Sequence, residues 1–256
     1  ILERSELLED QAFFATVRDA IANCPAHDTF VFIHGYNVSF DQAARRTAQI
    51  HHDLDFQGVP LFFSWPSRAD VKLYAGDRSE IGYSSEYIKQ FLIDVIKRSA
   101  PGRIHVVAHS MGAEGAARAI AALGDQGKII DQIILAAPDI DVDVFREQLA
   151  PRMVQACQRT TLYCSRNDWA LLASRAFNDS PRVGDSGYGL VVRDDMDTID
   201  ASDIDTDLLG HSYYGDCLPI LRDVRLLLQR NLRPEQRELQ RAEMPGKLVY
   251  WLFRHQ

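Results

Sequence analysis

The sequence predicts an α/β fold, with a mostly parallel central sheet of about six or more strands and helices on both faces. Three observations carry this. Short apolar runs rich in β-branched residues alternate with longer stretches of helical period. Most of the runs lack the polar alternation of a half-exposed strand, as expected of parallel strands covered on both sides. Each run ends in a cluster of Gly, Pro, Ser, Asn or Asp.

Taken in order, Phe13, Val17 and Ile21 share one helical face, and Thr29 to Ile33 and Pro60 to Ser64 read as strands. Tyr87 with Phe91, and Ile88 with Leu92 and Val95, make a second helical stripe. Further strands follow at Arg103 to Ala108, Ile129 to Ala136 and Thr160 to Cys164, with a weaker one at Asp197 to Asp200. Leu218 to Leu228 is a helix whose Pro219 suits a first turn. Arg230 to Glu243, rich in Arg, Glu and Gln, reads as an exposed helix or linker before the apolar Leu248 to Phe253. The expected organisation is one domain over residues 1–256: an N-terminal helix in 1–28, a core in 29–214 and C-terminal helices in 215–256.

Composition narrows the function. With 28 Lys+Arg against 36 Asp+Glu the formal charge is −8, which argues against binding nucleic acid through a general basic field. No apolar run reaches the roughly 18 residues of a membrane span. Cys24, Cys157, Cys164 and Cys217 lack metal-knuckle spacing and read as buried free thiols. Gly184, Gly187 and Gly189 do not form a dinucleotide fingerprint, and the Asp-rich run from Asp194 lacks the spacing of a calcium loop, so Asp179 to Asp207 reads as a solvated loop. The first residue, Ile1, is not a Met, which reads as a processed or truncated start and leaves the compartment open.

The most informative segment is Ile104-His105-Val106-Val107-Ala108-His109-Ser110-Met111-Gly112-Ala113. An apolar strand runs through small residues into an Ala-rich helix, so Ser110 sits at a sharp strand-to-helix turn that lifts its hydroxyl above the sheet edge. Small neighbours at Ala108 and Gly112 meet the steric demand of that turn. The following helix aims its free N–H groups at the place where negative charge develops in acyl transfer. A serine needs a base and an orienting acid, expected in the order Ser, acid, His. Asp168, in the loop after Thr161 to Cys164, is the first candidate acid, and Asp139, directly after the preceding strand, is the alternative. His211 is the only histidine placed after Ser110 and before the chain end; His34 reads as a hydrogen bonder under its loop.

Phe32-Ile33-His34-Gly35-Tyr36-Asn37 supplies the second oxyanion donor, so the N–H groups of Tyr36 and Met111 form the expected pair, with Gly35 letting the backbone approach the substrate. Trp65 and Tyr74, near a strand's carboxyl end, either line the substrate pocket or wall the core. The short interval between Ser110 and Asp168 leaves no room for a large cap domain.

These segments, with Phe63-Ser64-Trp65-Pro66-Ser67, Leu135-Ala136-Ala137-Pro138-Asp139 and Gly210-His211-Ser212-Tyr213-Tyr214, resemble the α/β-hydrolase superfamily, and specifically a bacterial family known as domain of unknown function 900. Ala113 departs from the pattern, where a polar residue, often Asn, is expected. The resemblance implies an α/β-hydrolase fold, a triad at Ser110, Asp168 and His211, no metal or organic cofactor, and esterase-type activity on a small-molecule ester. Acyl transfer or amide cleavage by the same triad, and a non-catalytic binding module on the same fold, are the alternatives.

Overall fold

The computed structural model describes residues 4–68, 74–168, 171, 174, 179–204 and 218–254. Its centre is an eight-stranded sheet: β1 (Thr29–Ile33), β2 (Val59–Phe63), β3 (Ile104–His109), β4 (Ile130–Ala136), β5 (Cys157–Cys164), β6 (Asp197–Asp200), β7 (Leu239–Glu243) and β8 (Val249–Phe253), in the order β2-β1-β3-β4-β5-β6-β8-β7. All neighbours pair parallel except β7 with β8. β1 is buried at every position and β3 at all but its last, which accounts for their largely apolar sequences. Pro60 has no N–H to give a ladder and stands in the edge strand β2, where that loss is tolerated.

The described helices include α1 (Asp10–Asn23), α2 (Phe40–Asp53), α3 (Tyr74–Asp94), α4 (Met111–Ala121), α5 (Val142–Val144), α6 (Ala150–Ala156), the single turn α7 (Ser186–Gly189) and α8 (Leu218–Arg230). Alternation along each strand sends side chains into two cores. Val31, Ile33, Val106 and Ala108 join Phe14 of α1, Ile81 and Ile88 of α3, Ala116 and Ala117 of α4 and Met153 of α6 on one face. Phe30, Phe32, Val107 and Ile134 join Ile50 of α2 and Val224, Leu227 and Leu228 of α8 on the other. The buried stripe of α1 is Phe14, Val17 and Ile21, with Phe13 packed beside it and partly exposed.

The C-terminal region departs from expectation. Residues 215–256 were expected to be helices, and Arg230 to Glu243 an exposed helix or linker; instead α8 is followed by a β-hairpin, β7–β8, that extends the sheet beyond β6. The physical reason lies in Arg237. Its guanidinium is fully buried, with Nη1 donating to Asp223 of α8 at 2.8 Å and Nη2 to Asp197 of β6 at 3.3 Å. The Tyr163 hydroxyl of β5 also donates to Asp223. A charge expected at the surface thus ties hairpin, helix and sheet together, and burial pushes the Asp223 carboxyl up to about 6 against the opposing pull of Arg237. The Asp-rich stretch is likewise structured: Asp185 caps α7, and Asp200 accepts from Ser186 Oγ and the Ser202 N–H.

His105, the second residue of β3, is fully buried with Phe56 edge-on to its ring, and neither ring nitrogen has a hydrogen-bond partner among the described residues. Burial pushes its pKa down to about 3. An unfolded imidazole takes a proton near pH 6.5. Between these values the unfolded chain holds a proton that the folded one refuses, so stability falls as pH falls through that window. His105→Leu is expected to flatten the loss of thermal midpoint between pH 7 and pH 4, and to gain about 1–3 kcal/mol at pH 7 by removing unsatisfied buried nitrogens. Melting curves across that range check both.

Candidate active site

Ser110 joins β3 to α4 with φ 51° and ψ −124°, a conformation that costs a non-glycine residue about 1–3 kcal/mol. Three hydrogen bonds hold it: its N–H donates to the Ala136 carbonyl at 3.0 Å, and its carbonyl accepts from Ala113 N at 3.0 Å and Asp139 N at 3.1 Å. The side chain is half-buried at the carboxyl end of the sheet, above the first turn of α4. There the Met111 N–H belongs to the donors that a helix start leaves without an intrahelical partner.

Gly112 explains why this turn requires a glycine. A Cβ there would stand 2.1 Å from the His34 carbonyl oxygen and 2.8 Å from that of Ile33. The end of β1 therefore runs directly against α4, bringing the loop after β1 to the serine. Gly35 in that loop is also tightly placed: a Cβ on it would meet His109 Nδ1 at 2.9 Å and Ser110 Cβ at 3.1 Å. Ala108, which stands in the first position of the turn motif, is fully buried.

The loop is supported from beneath. The Trp65 indole N–H donates to the His34 carbonyl at 2.7 Å, and the two rings stack at 5.3 Å. His34 Nδ1 lies 2.8 Å from the Gly35 carbonyl, which can only accept, so this nitrogen carries the proton and Nε2 accepts from Ser64 Oγ at 3.3 Å. Burial pushes the His34 pKa down, keeping it neutral. It is a strut rather than a second base. Asp77 fastens the loop that carries Trp65, accepting from Ser67 Oγ at 2.7 Å and Arg68 N at 3.1 Å. Of the expected pocket residues, Trp65 is 1% exposed and walls the core, whereas Tyr74 is half-buried with its ring edge-on to Tyr36 at 5.4 Å.

The two candidate acids are differently placed. Asp168 is half-buried in the loop after β5, where its Oδ1 accepts from Leu171 N at 3.0 Å. That loop is tied to the segment after β6: Arg166 N donates to Ser202 Oγ at 2.9 Å, and Asn167 Nδ2 to the Ser202 carbonyl at 2.8 Å. Asp139 is 2% exposed and its carboxylate is surrounded. It accepts from Tyr74 Oη at 2.6 Å and Ser174 Oγ at 2.6 Å, and faces Arg182 Nε at 3.3 Å and Arg78 Nη1 at 3.7 Å. Arg78 also reaches Glu114 of α4 at 3.4 Å. Asp141, two residues on, is the cap of α5. Ser110 and Asp168 share the carboxyl edge of the sheet, on strands separated by β4. Two strand spacings put β3 and β5 about 10 Å apart. His211 lies outside the described residues. Sequence reasoning missed Arg182, Ser174 and Glu114, because nothing in their local pattern marks a buried charge or its partner.

Residues 9–230 match a family model described as an alpha/beta hydrolase of unknown function (DUF900). Among solved structures, a candidate cell surface hydrolase from Lactobacillus plantarum WCFS1 shares the fold, with a TM-score of 0.50 and 11% identity over 82% of this chain and 94% of that one. A predicted CIB-like hydrolase from Thermoplasma acidophilum matches with a TM-score of 0.44 and 20% identity, over 81% of this chain and 88% of that one. No curated protein matches in sequence.

The two glycines separate folding from chemistry. Gly112→Ala is expected to destabilise by about 3 kcal/mol or more, because its new methyl meets rigid backbone. Gly35→Ala, which meets side-chain atoms, is expected to cost less stability while disturbing the serine. Denaturant unfolding of both variants, beside labelling of the serine with a fluorophosphonate, checks the ordering.

Proposed function

The chain belongs to the family of alpha/beta hydrolases of unknown function, DUF900, and we propose that it is a serine hydrolase of carboxylic esters with short acyl groups. The observation that carries this is the backbone of Ser110: φ 51° at a non-glycine residue, between a strand and a helix start, beside a Gly35 at which an added Cβ would come within 3.1 Å of Ser110 Cβ. Strain of this kind persists where the surrounding structure over-determines it, and here it serves to present a hydroxyl.

In this reading Ser110 Oγ attacks the ester carbonyl as His211 accepts the hydroxyl proton. The carbonyl π electrons move to oxygen, and the N–H groups of Met111 and Tyr36 receive that oxyanion. Collapse expels the alcohol, protonated by His211, and leaves an acyl group on Ser110. Water, deprotonated by His211, then attacks the acyl carbon; the acid leaves and the serine regains its proton. Asp168 orients the imidazole and balances its positive charge. Two facts support Asp168 over Asp139 as the acid. Its loop is bonded to Ser202, in the segment that leads towards His211. Asp139, in contrast, is already engaged by two hydroxyls and faced by two guanidiniums. With no metal or cofactor expected, the chain's own residues supply every step, and Gly35 leaves room for the substrate beside the serine.

Ser110→Ala is expected to lower hydrolysis of p-nitrophenyl acetate and butyrate by about 10⁴-fold or more. An unchanged rate sinks the assignment. Asp168→Asn should cost about 10³–10⁴-fold in kcat, and Asp139→Asn no more than about 10-fold in the folded protein. Reversal of that order would move the acid to Asp139.

A further inference from the structure

We propose that Tyr74 is a positioning residue for the oxyanion loop, held by Asp139 and in turn holding Tyr36. The inference rests on the reading of Tyr36 as an oxyanion donor, and goes beyond it by saying what sets that donor's place.

A closed circuit of contacts supports it. The Asp139 N–H donates to the Ser110 carbonyl at 3.1 Å, so the aspartate's backbone is fixed to the nucleophile itself. Its carboxylate Oδ2 accepts from Tyr74 Oη at 2.6 Å. The Tyr74 ring meets the Tyr36 ring edge-on, at 5.4 Å and 73°. Tyr36 then returns through Gly35, where an added Cβ would stand only 3.1 Å from Ser110 Cβ. The serine and the donor that would face it are therefore connected by two routes: the backbone packing at Gly112, and this side-chain path across the top of β4.

Each link suits the task. Two guanidiniums, Arg182 and Arg78, face the Asp139 carboxylate, and Ser174 fills its Oδ1, so the acceptor is held in one orientation. Burial and the neighbouring carboxylate raise the pKa of Tyr74, so its hydroxyl remains a donor throughout the working range of a histidine base. An edge-to-face pair prefers one relative placement of its two rings, which biases a short loop that carries one of them. The demand on that loop is strict, since an oxyanion donor must lie about 2.7–3.1 Å from the charge it stabilises. A displacement of about 1 Å can cost 10²-fold.

The full-length protein provides the test, through Tyr74→Phe, which deletes only the hydroxyl, and Tyr74→Leu, which also deletes the ring contact. Tyr74→Phe is expected to lower kcat for p-nitrophenyl acetate by about 5- to 10-fold with KM within about twofold, and Tyr74→Leu by about 10- to 100-fold. Hydrogen–deuterium exchange of the 34–38 amides is expected to quicken in both, more in Tyr74→Leu, with thermal midpoints measured alongside. A Tyr74→Leu variant with wild-type kcat and unchanged exchange in 34–38 overturns the proposal. A raised KM with wild-type kcat also overturns it, by making Tyr74 a substrate contact. The esterase reading fails separately, if the wild-type protein neither hydrolyses the ester nor takes up a fluorophosphonate at Ser110. That result removes the catalytic half of the proposal, while the exchange data still decide whether Tyr74 holds the loop.

Discussion

The approach of the β1 carboxyl end to the first turn of α4 is the constraint on which the site depends. Backbone oxygens of Ile33 and His34 occupy the space in which any side chain at position 112 would begin. That contact brings a strand end, a helix start and a sharp turn into one small volume, and both expected oxyanion donors follow from it. The same closeness accounts for the unusual backbone of Ser110. A more relaxed connection would need room that the neighbouring strand has already filled, and hydrogen bonds from the β4 end hold the turn in place.

Two clusters of buried and half-buried charge stand out among the described residues. One, at the top of β4, contains Asp139, Arg182, Arg78 and Glu114. The other, beyond β5, contains Asp223, Arg237 and Asp197. Burying an ion pair gains little net stability over well-packed apolar side chains, because desolvation consumes most of the Coulomb attraction. What such groups do supply is discrimination, since a carboxylate faced by guanidiniums tolerates few alternative positions. The first group surrounds the proposed chemistry. The second fixes a piece of sheet to the body of the fold.

Much of the architecture was legible because burial writes itself plainly into parallel strands. Thr29–Ile33 and Ile104–His109 are covered on both sides, so they are mostly apolar, with Thr29 and His105 as buried exceptions. The turn at Ser110 was legible for a related reason: small residues flank it on both sides and an apolar strand precedes it. The hairpin was not. β7 is an edge strand with Gln240, Arg241 and Glu243 exposed or nearly so, and its polar sequence carries no apolar alternation to betray it. Arg237 misled for a simpler reason, since a lone arginine in a charged stretch is nearly always at the surface. Asp139 could be flagged by its place after a strand, but its partners come from loops and helices remote in sequence, and no local pattern could separate an orienting acid from a structural anchor. Trp65 was ambiguous because an aromatic residue at a strand's carboxyl end looks the same whether it faces a ligand or a loop from below.

The latch at Arg237 also has a bearing on biosynthesis. In a polypeptide emerging from the ribosome, α8 and its Asp223 appear before the guanidinium that compensates them, and β8, the partner of β6, appears later still. Until then β6 has an open flank and a carboxylate lies in an apolar setting without its counter-ion, so the finished arrangement of that side of the sheet cannot precede the end of translation of the hairpin. An edge left open in this way is closed only when β8 pairs with β6 and Arg237 meets Asp223.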